Sequence, residues 1–186
     1  MIISINDRNS LQNATEVFRT GGVLVFPTDT VYGIGCILNK TAIRKLYKIK
    51  RRKNQPTAIL MTKDLFIALY RSSSNVGKLP EEFWAGKMTI IFPVNKFEVI
   101  FSAMIIKDET IGIRLPDHRW LKELINEVGP IVTSSANRAG EQTPVKFSEL
   151  DKGVIDEADL TIQTSQTLSG KPSMIYDLIN DKMIRP

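Results

Sequence analysis

From Gly21 to Cys36 the chain reads Gly-Gly-Val-Leu-Val-Phe-Pro-Thr-Asp-Thr-Val-Tyr-Gly-Ile-Gly-Cys, an apolar run that passes directly into a hydroxyl-rich, glycine-punctuated loop. This junction constrains the fold strongly, because α/β proteins place small-molecule sites where buried strands end. Pro27 fixes the chain direction at the strand end, while Gly33 and Gly35 permit backbone geometry or a close approach that a Cβ would block. The hydroxyls of Thr28, Thr30 and Tyr32 and the carboxylate of Asp29 follow at once. An ordinary strand and turn would show the same run, so the segment by itself leaves both readings open.

The rest of the chain alternates helix and strand patterns without repeats or a linker-like tract. Leu11, Ala14, Val17 and Phe18 share a helical face, with Asn9 and Gln12 at capping-box spacing before it and Gly21-Gly22 as its stop. Val23 to Phe26 reads as a strand. Thr41 to Lys50 reads as a second helix, Thr57 to Met61 as a strand and Lys63 to Tyr70 as a short helix. Met88 to Phe92, Thr110 to Leu115 and Pro130 to Thr133 read as strands, with a helix on the Trp120, Leu121, Leu124, Ile125, Val128 face. Leu160 to Gln163, Met174 to Leu178 and Met183 to Arg185 add further strands. Ser72 to Gly86 and Lys96 to Asp108 read as surface excursions with short helical pieces, and Phe83 and Trp84 as core aromatics.

At 186 residues and 42% hydrophobic content the chain has the size and apolar share of one compact α/β domain. No apolar run approaches the ~18–20 residues that cross a bilayer, and no signal-peptide pattern opens the chain, so a soluble cytoplasmic protein is expected. One cysteine and one histidine do not furnish a typical structural zinc site. A net charge of +5 points to anionic partners, nucleotide or RNA, and Lys48 to Lys53 is the densest basic patch. One or two of these cations fit the solvated end of a helix, where they favour the dipole; five do not.

The run from Pro27 resembles the P-T-[ED]-T-x-Y-G-[LI]-G signature of the YrdC/Sua5 family, whose members make threonylcarbamoyl-adenylate for tRNA modification. Further elements follow in the family's order. Lys50-Arg51-Arg52 is similar to its K-x-R, Ile113-Arg114-Leu115-Pro116-Asp117-His118 to its V-R-x-P-x-H, and Ser135-Ala136-Asn137 to its S-A-N. Gly170 to Ile175 and Met183 to Pro186 resemble the closing G-x-x-S-T-I and L-R-P elements. The chain departs from the family's W-P-G-P-x-T at Trp84 to Thr89 and carries Ala139 in place of a second serine. The spacing between the basic element and Pro56 is one residue short. Lys50 and Arg52 are favoured as the matching pair; an upstream deletion would put Arg51 in the arginine's place instead.

The resemblance implies a single YrdC-like domain over 1–186, without the second domain of long Sua5 proteins. It implies a twisted mixed parallel and antiparallel sheet flanked by helices, with a concave basic substrate cleft. The implied reaction joins L-threonine, bicarbonate and ATP into threonylcarbamoyl-AMP and pyrophosphate, with Mg²⁺ carried by the nucleotide phosphates. Lys50, Arg52, Ser135 and Asn137 would be catalytic. Thr28, Thr30, Tyr32, Thr110, Arg114, Ser173 and Arg185 would bind substrate and nucleotide. Partners implied are a threonylcarbamoyl transferase complex and a possible tRNA contact. An adenylyl transfer of this kind relies on positioning and electrostatics, so it needs no protein nucleophile. His118 reads as a helix-start or packing residue, Cys36 as a residue lining the turn, and Asp29 as no metal ligand. A non-catalytic RNA-binding module and a carbamoyl-transfer enzyme are the other classes considered.

Overall fold

The computed structural model describes residues 1–51, 57–70, 79–97 and 104–186. The first units are β1 (Ile2–Ser4), α1 (Ser10–Arg19), β2 (Leu24–Pro27), β3 (Tyr32–Ile37) and α2 (Lys40–Ile49). β4 (Ala58–Leu60), α3 (Lys63–Leu69), α4 (Glu81–Trp84), β5 (Met88–Pro93) and β6 (Thr110–Arg114) form the middle. α5 (Arg119–Val128), β7 (Ile131–Ser135), α6 (Lys152–Glu157), β8 (Leu160–Gln163), β9 (Met174–Asp177) and β10 (Lys182–Arg185) complete the chain.

These strands make one mixed sheet in the order β1-β8-β2-β3-β7-β4-β6-β5-β9-β10. β8 pairs in parallel with β1 and β2, β4 with β6, and β5 with β9; the remaining neighbours are antiparallel. Helices pack on both faces around β2 and β3, which are apolar throughout, whereas β5, β6 and β7 alternate and set Thr89, Thr110, Arg114, Thr133 and Ser135 on a polar face. Along β2, Val25 joins one core with Ile34, Leu46 and Ile59, while Leu24 and Phe26 join the opposite core with Phe18, Leu121 and Leu124. Successive side chains of a strand point to opposite faces, which is why one strand feeds both cores.

Local chemistry explains the helix bounds. Asn39 Oδ1 accepts from the N–H groups of Thr41 and Ala42 at 2.8 and 3.2 Å and starts α2. His118 Nδ1 accepts from Leu121 N at 3.4 Å at the start of α5, so His118 is a helix-start residue. α1 corrects the capping-box expectation: the Asn9 side chain makes no cap bond, and its backbone N–H instead donates to Asp7 Oδ1 at 2.8 Å. Asn9 sits at ψ 2°, outside the extended geometry from which a capping side chain reaches back. Gly21 ends that helix at φ +80°, and a Cβ on Gly22 would lie 2.4 Å from Val17 Cγ1.

Tyr32 to Ile37 also differs from expectation, because this glycine-bearing stretch is a six-residue strand rather than loop. It pairs with β2 on one side and β7 on the other. Gly35 is required by that packing: an added Cβ would stand 2.7 Å from the Val132 carbonyl and 3.1 Å from the Phe26 ring. The expected loop shrinks to Thr28–Val31. β1 and α6 were not legible in the sequence pattern. Phe83 and Trp84 pack edge-on to Phe66 at ring-centre separations of 5.1 and 5.9 Å, as core aromatics should.

Candidate active site

The turn between β2 and β3 is held by its own hydroxyls. Thr28 Oγ1 accepts from the N–H groups of Thr30 and Val31 at 3.1 and 3.2 Å and donates to Val31 O at 2.8 Å. Its proton is thereby committed, so in the 3.1 Å contact between Thr28 and Thr30 the Thr30 hydroxyl is the donor. Thr30 Oγ1 in turn accepts from Arg114 Nη1 at 3.0 Å. Arg114, at the end of β6, donates through Nε to Gly86 O at 3.0 Å and through Nη2 to Asp29 Oδ2 at 2.8 Å. Gly86 can present that carbonyl because it lies at φ +77°, where a Cβ would come within 2.7 Å of Leu115 O. Burial pulls the Arg114 pKa down from its ordinary value, and Asp29 opposes that shift.

A cleft of about 750 Å³ opens beside this network. Thr28, Thr30, Thr110, Arg114, Ser135, Ser173 and Arg185 all line it. Ser173 Oγ meets Thr89 Oγ1 at 2.9 Å, and the Ser173 carbonyl accepts both Nε and Nη2 of Arg185, at 2.9 and 2.5 Å. Burial, then the nearby charge of Arg114, lowers the Arg185 pKa. Thr110 Oγ1 donates to Lys107 O at 2.6 Å, closing a two-residue turn in which Asp108 and Glu109 lie at φ 50° and 57°. Such a turn requires left-handed backbone at both central positions, here without glycine. The charged lining among the described residues is mixed, with Lys107, Arg114 and Arg185 against Asp108 and Asp177.

Three of the expected site residues stand elsewhere. Lys50 is 1% exposed, and its ammonium donates to the carbonyl of Ser135 and, at 2.7 Å, to that of Asn137. It therefore braces the loop after β7 from behind instead of lining the cleft. Asn137 spends its amide N–H groups on Arg138 O and Glu141 O, at 3.0 and 2.7 Å, closing that loop. Tyr32 is fully buried, with its phenol oxygen accepting from Thr164 N at 3.1 Å; burial pushes its pKa up. Arg52 lies outside the described residues.

The sequence reading missed Thr57, Thr89, Thr133, Ser134 and Thr143, which also line the cleft. The hydroxyl run Thr133-Ser134-Ser135 was a usable signal; Thr57 and Thr89 carried none. His118 borders a separate polar groove of about 690 Å³ beyond the same turn. Burial holds the His118 pKa below its ordinary value despite Asp29 and Asp117. Cys36 is buried, and desolvation pushes its thiol up to about 12. No helix among the described residues is long and apolar enough to cross a membrane.

A mixed sheet flanked by helices, with a hydroxyl- and arginine-lined cleft over the face of β4, β5, β6, β7 and β9, defines an α/β protein with a small-molecule-sized polar site. The family model Sua5_yciO_yrdC, described as "Telomere recombination", matches residues 16–186, and the chain belongs to this family. It is 35% identical over 167 residues to a putative threonylcarbamoyl-AMP synthase of Methanocaldococcus jannaschii, covering 88% of this chain and 78% of that protein. It is 34% identical to the threonylcarbamoyl-AMP synthase of Bacillus subtilis, covering 89% of this chain but only 51% of the relative. The crystal structure of P. abyssi Sua5 complexed with L-threonine superposes with a TM-score of 0.81 at 24% identity, covering 96% of this chain and 54% of that one. That last likeness is one of fold.

Proposed function

We propose that this chain is a threonylcarbamoyl-AMP synthase that supplies the activated threonylcarbamoyl group for tRNA modification. The observation that carries the reading is the cleft that gathers Thr28, Thr30, Arg114, Ser135, Ser173 and Arg185 from segments far apart in the chain, in a member of this family. Its volume of about 750 Å³ falls inside the range of ~300–1,000 Å³ usual for small-molecule sites.

The L-threonine amine condenses with bicarbonate to an N-carboxy carbamate with loss of water, and the carbamate oxygen attacks the α-phosphorus of ATP while pyrophosphate leaves. This is a nucleotidyl transfer. An anion approaches a polyanion, so the protein's task is to offset charge and align the reacting oxygen with the bond that breaks. Arg114 and Arg185 supply fixed guanidinium groups at the cleft, suited to paired oxygens. The hydroxyls of Thr28, Thr30, Ser135 and Ser173 supply short, orientable partners for the amino acid and nucleotide. Lys50 acts behind them by holding the Ser135–Asn137 backbone. Magnesium enters as part of the nucleotide substrate, bound to its phosphates. The product then passes to a threonylcarbamoyl transferase in the cytoplasm.

The test is pyrophosphate release from ATP with L-threonine and bicarbonate omitted in turn. Both are required, since the carbamate does not exist without them. Release that continues unchanged when either is missing refutes the assignment.

A further inference from the structure

Asp29 is the acidic group of the turn between β2 and β3, and the reaction above leaves it without a task. Its Oδ2 accepts from Arg114 Nη2 at 2.8 Å, with the two side chains only 17% and 8% exposed. Its Oδ1 is buried and has no hydrogen-bond partner among the described residues, so the side chain is anchored there through Arg114. That burial also argues against a metal-binding task, because one oxygen is engaged and the other is closed to solvent.

Arg114 has five N–H donors, of which Nε–H goes to Gly86 O, one on Nη1 to Thr30 Oγ1, and one on Nη2 to Asp29. These anchors come from the end of α4, from the turn between β2 and β3, and from a carboxylate in that same turn. Together they fix the plane of the guanidinium on three sides. One N–H on each of Nη1 and Nη2 is left over for a ligand. A guanidinium held flat with two donors left over matches a carboxylate or phosphate edge, whereas an unanchored one would have to give up rotamer freedom on binding.

We infer that Asp29 is a positioning residue: it holds the Nη2 side of Arg114 so that the two remaining N–H donors serve an anionic group of the bound substrates. The inference rests on Arg114 contacting substrate, as the proposed function has it. Asp29 also favours the charged state of a guanidinium that burial works against. Removing Asp29 leaves Arg114 present but free to tilt toward its two remaining anchors.

Two measurements test this. In the kinetic one, Asp29→Asn keeps the size and one acceptor but removes the charge, and lowers kcat/KM by ~10–100-fold, the scale of a misplacement of about an ångström. The parameter that moves, kcat or KM, is the one moved by Arg114→Gln, and the double variant is no worse than Arg114→Gln alone. Asp29→Glu restores part of the rate. Multiplying effects, or an undiminished rate in Asp29→Asn beside a crippled Arg114→Gln, overturn the inference. The second measurement needs no turnover: in arginine-¹⁵N-labelled protein the Arg114 Nε–H signal is sharp and protected from exchange, and Asp29→Asn broadens it. An unchanged signal in that variant overturns the positioning role. A folded Arg114→Gln with full activity refutes the substrate-contact reading instead, and the resonance still decides whether Asp29 orients Arg114.

Discussion

Replacing Lys50 by Met separates two tasks that the same lysine is asked to perform. The side chain is 1% exposed, and its ammonium bridges the Ser135 and Asn137 carbonyls. Met keeps the length and apolar stem while removing every donor. A hydrogen bond to a charged group contributes ~1.5–3 kcal/mol net of desolvation, so losing two costs roughly 3–6 kcal/mol. Met recovers part of that loss, because its apolar side chain fills the same buried space without a charge. The net expectation is a destabilisation of about 2–4 kcal/mol, a large part of the ~5–15 kcal/mol that holds a domain folded. Urea titration followed by circular dichroism measures it, with turnover assayed on the folded fraction. Because the carbonyls belong to the loop that carries Ser135, turnover falls as well. Unchanged urea stability with turnover lost would refute this reasoning and return Lys50 to direct work on the phosphates.

Three further outcomes follow from other parts of the molecule. Arg52→Ala loses ~100–1,000-fold in turnover, the scale of one preorganised donor, while Arg51→Ala is mild; reversed ranking in a steady-state assay would show that the basic element is displaced by one residue. Cys36, buried and with its thiol raised to about 12, is neutral across the physiological range, so Cys36→Ser keeps most of the turnover and iodoacetamide labels the thiol only as the protein unfolds. For Asp159, burial works to raise the pKa, but Lys45 at 2.5 and 2.7 Å and the Val23 N–H at 2.7 Å prevail and hold it below the ordinary carboxylate value. A depressed carboxylate stabilises the fold above its unfolded pKa and loses that contribution as pH falls through the folded one. Asp159→Asn therefore flattens the loss of urea stability below about pH 4, and an unchanged acid limb would count against the pairing.

Much of the fold was legible because burial on both sheet faces leaves continuous apolar runs. Leu24–Pro27 was visible for that reason, Met88–Pro93 and Leu160–Gln163 as short runs rich in apolar and β-branched residues, and α5 by the helical spacing of Trp120, Leu121, Leu124 and Ile125. Tyr32–Ile37 was not, since two glycines break its β propensity and only pairing on both sides makes it a strand. The family motifs marked the hydroxyls and Arg114 as site residues, and the fold brings those to one cleft.

What the sequence determined by itself was chemistry: which groups carry charge, which hydroxyls follow a strand, and that one cysteine and one histidine stand alone. What only the tertiary structure decided was how those groups are used. Lys50 is a cation in any reading, yet its acceptors lie 85 and 87 positions away, where docking of α2 against the end of β7 buries it. Asp29 and Arg114 are likewise 85 positions apart, and they meet because the β2–β3 turn and the end of β6 come together at the cleft. A side chain's type is written in the chain, but its partner and its exposure to water depend on packing between distant segments, and those two quantities set its energy.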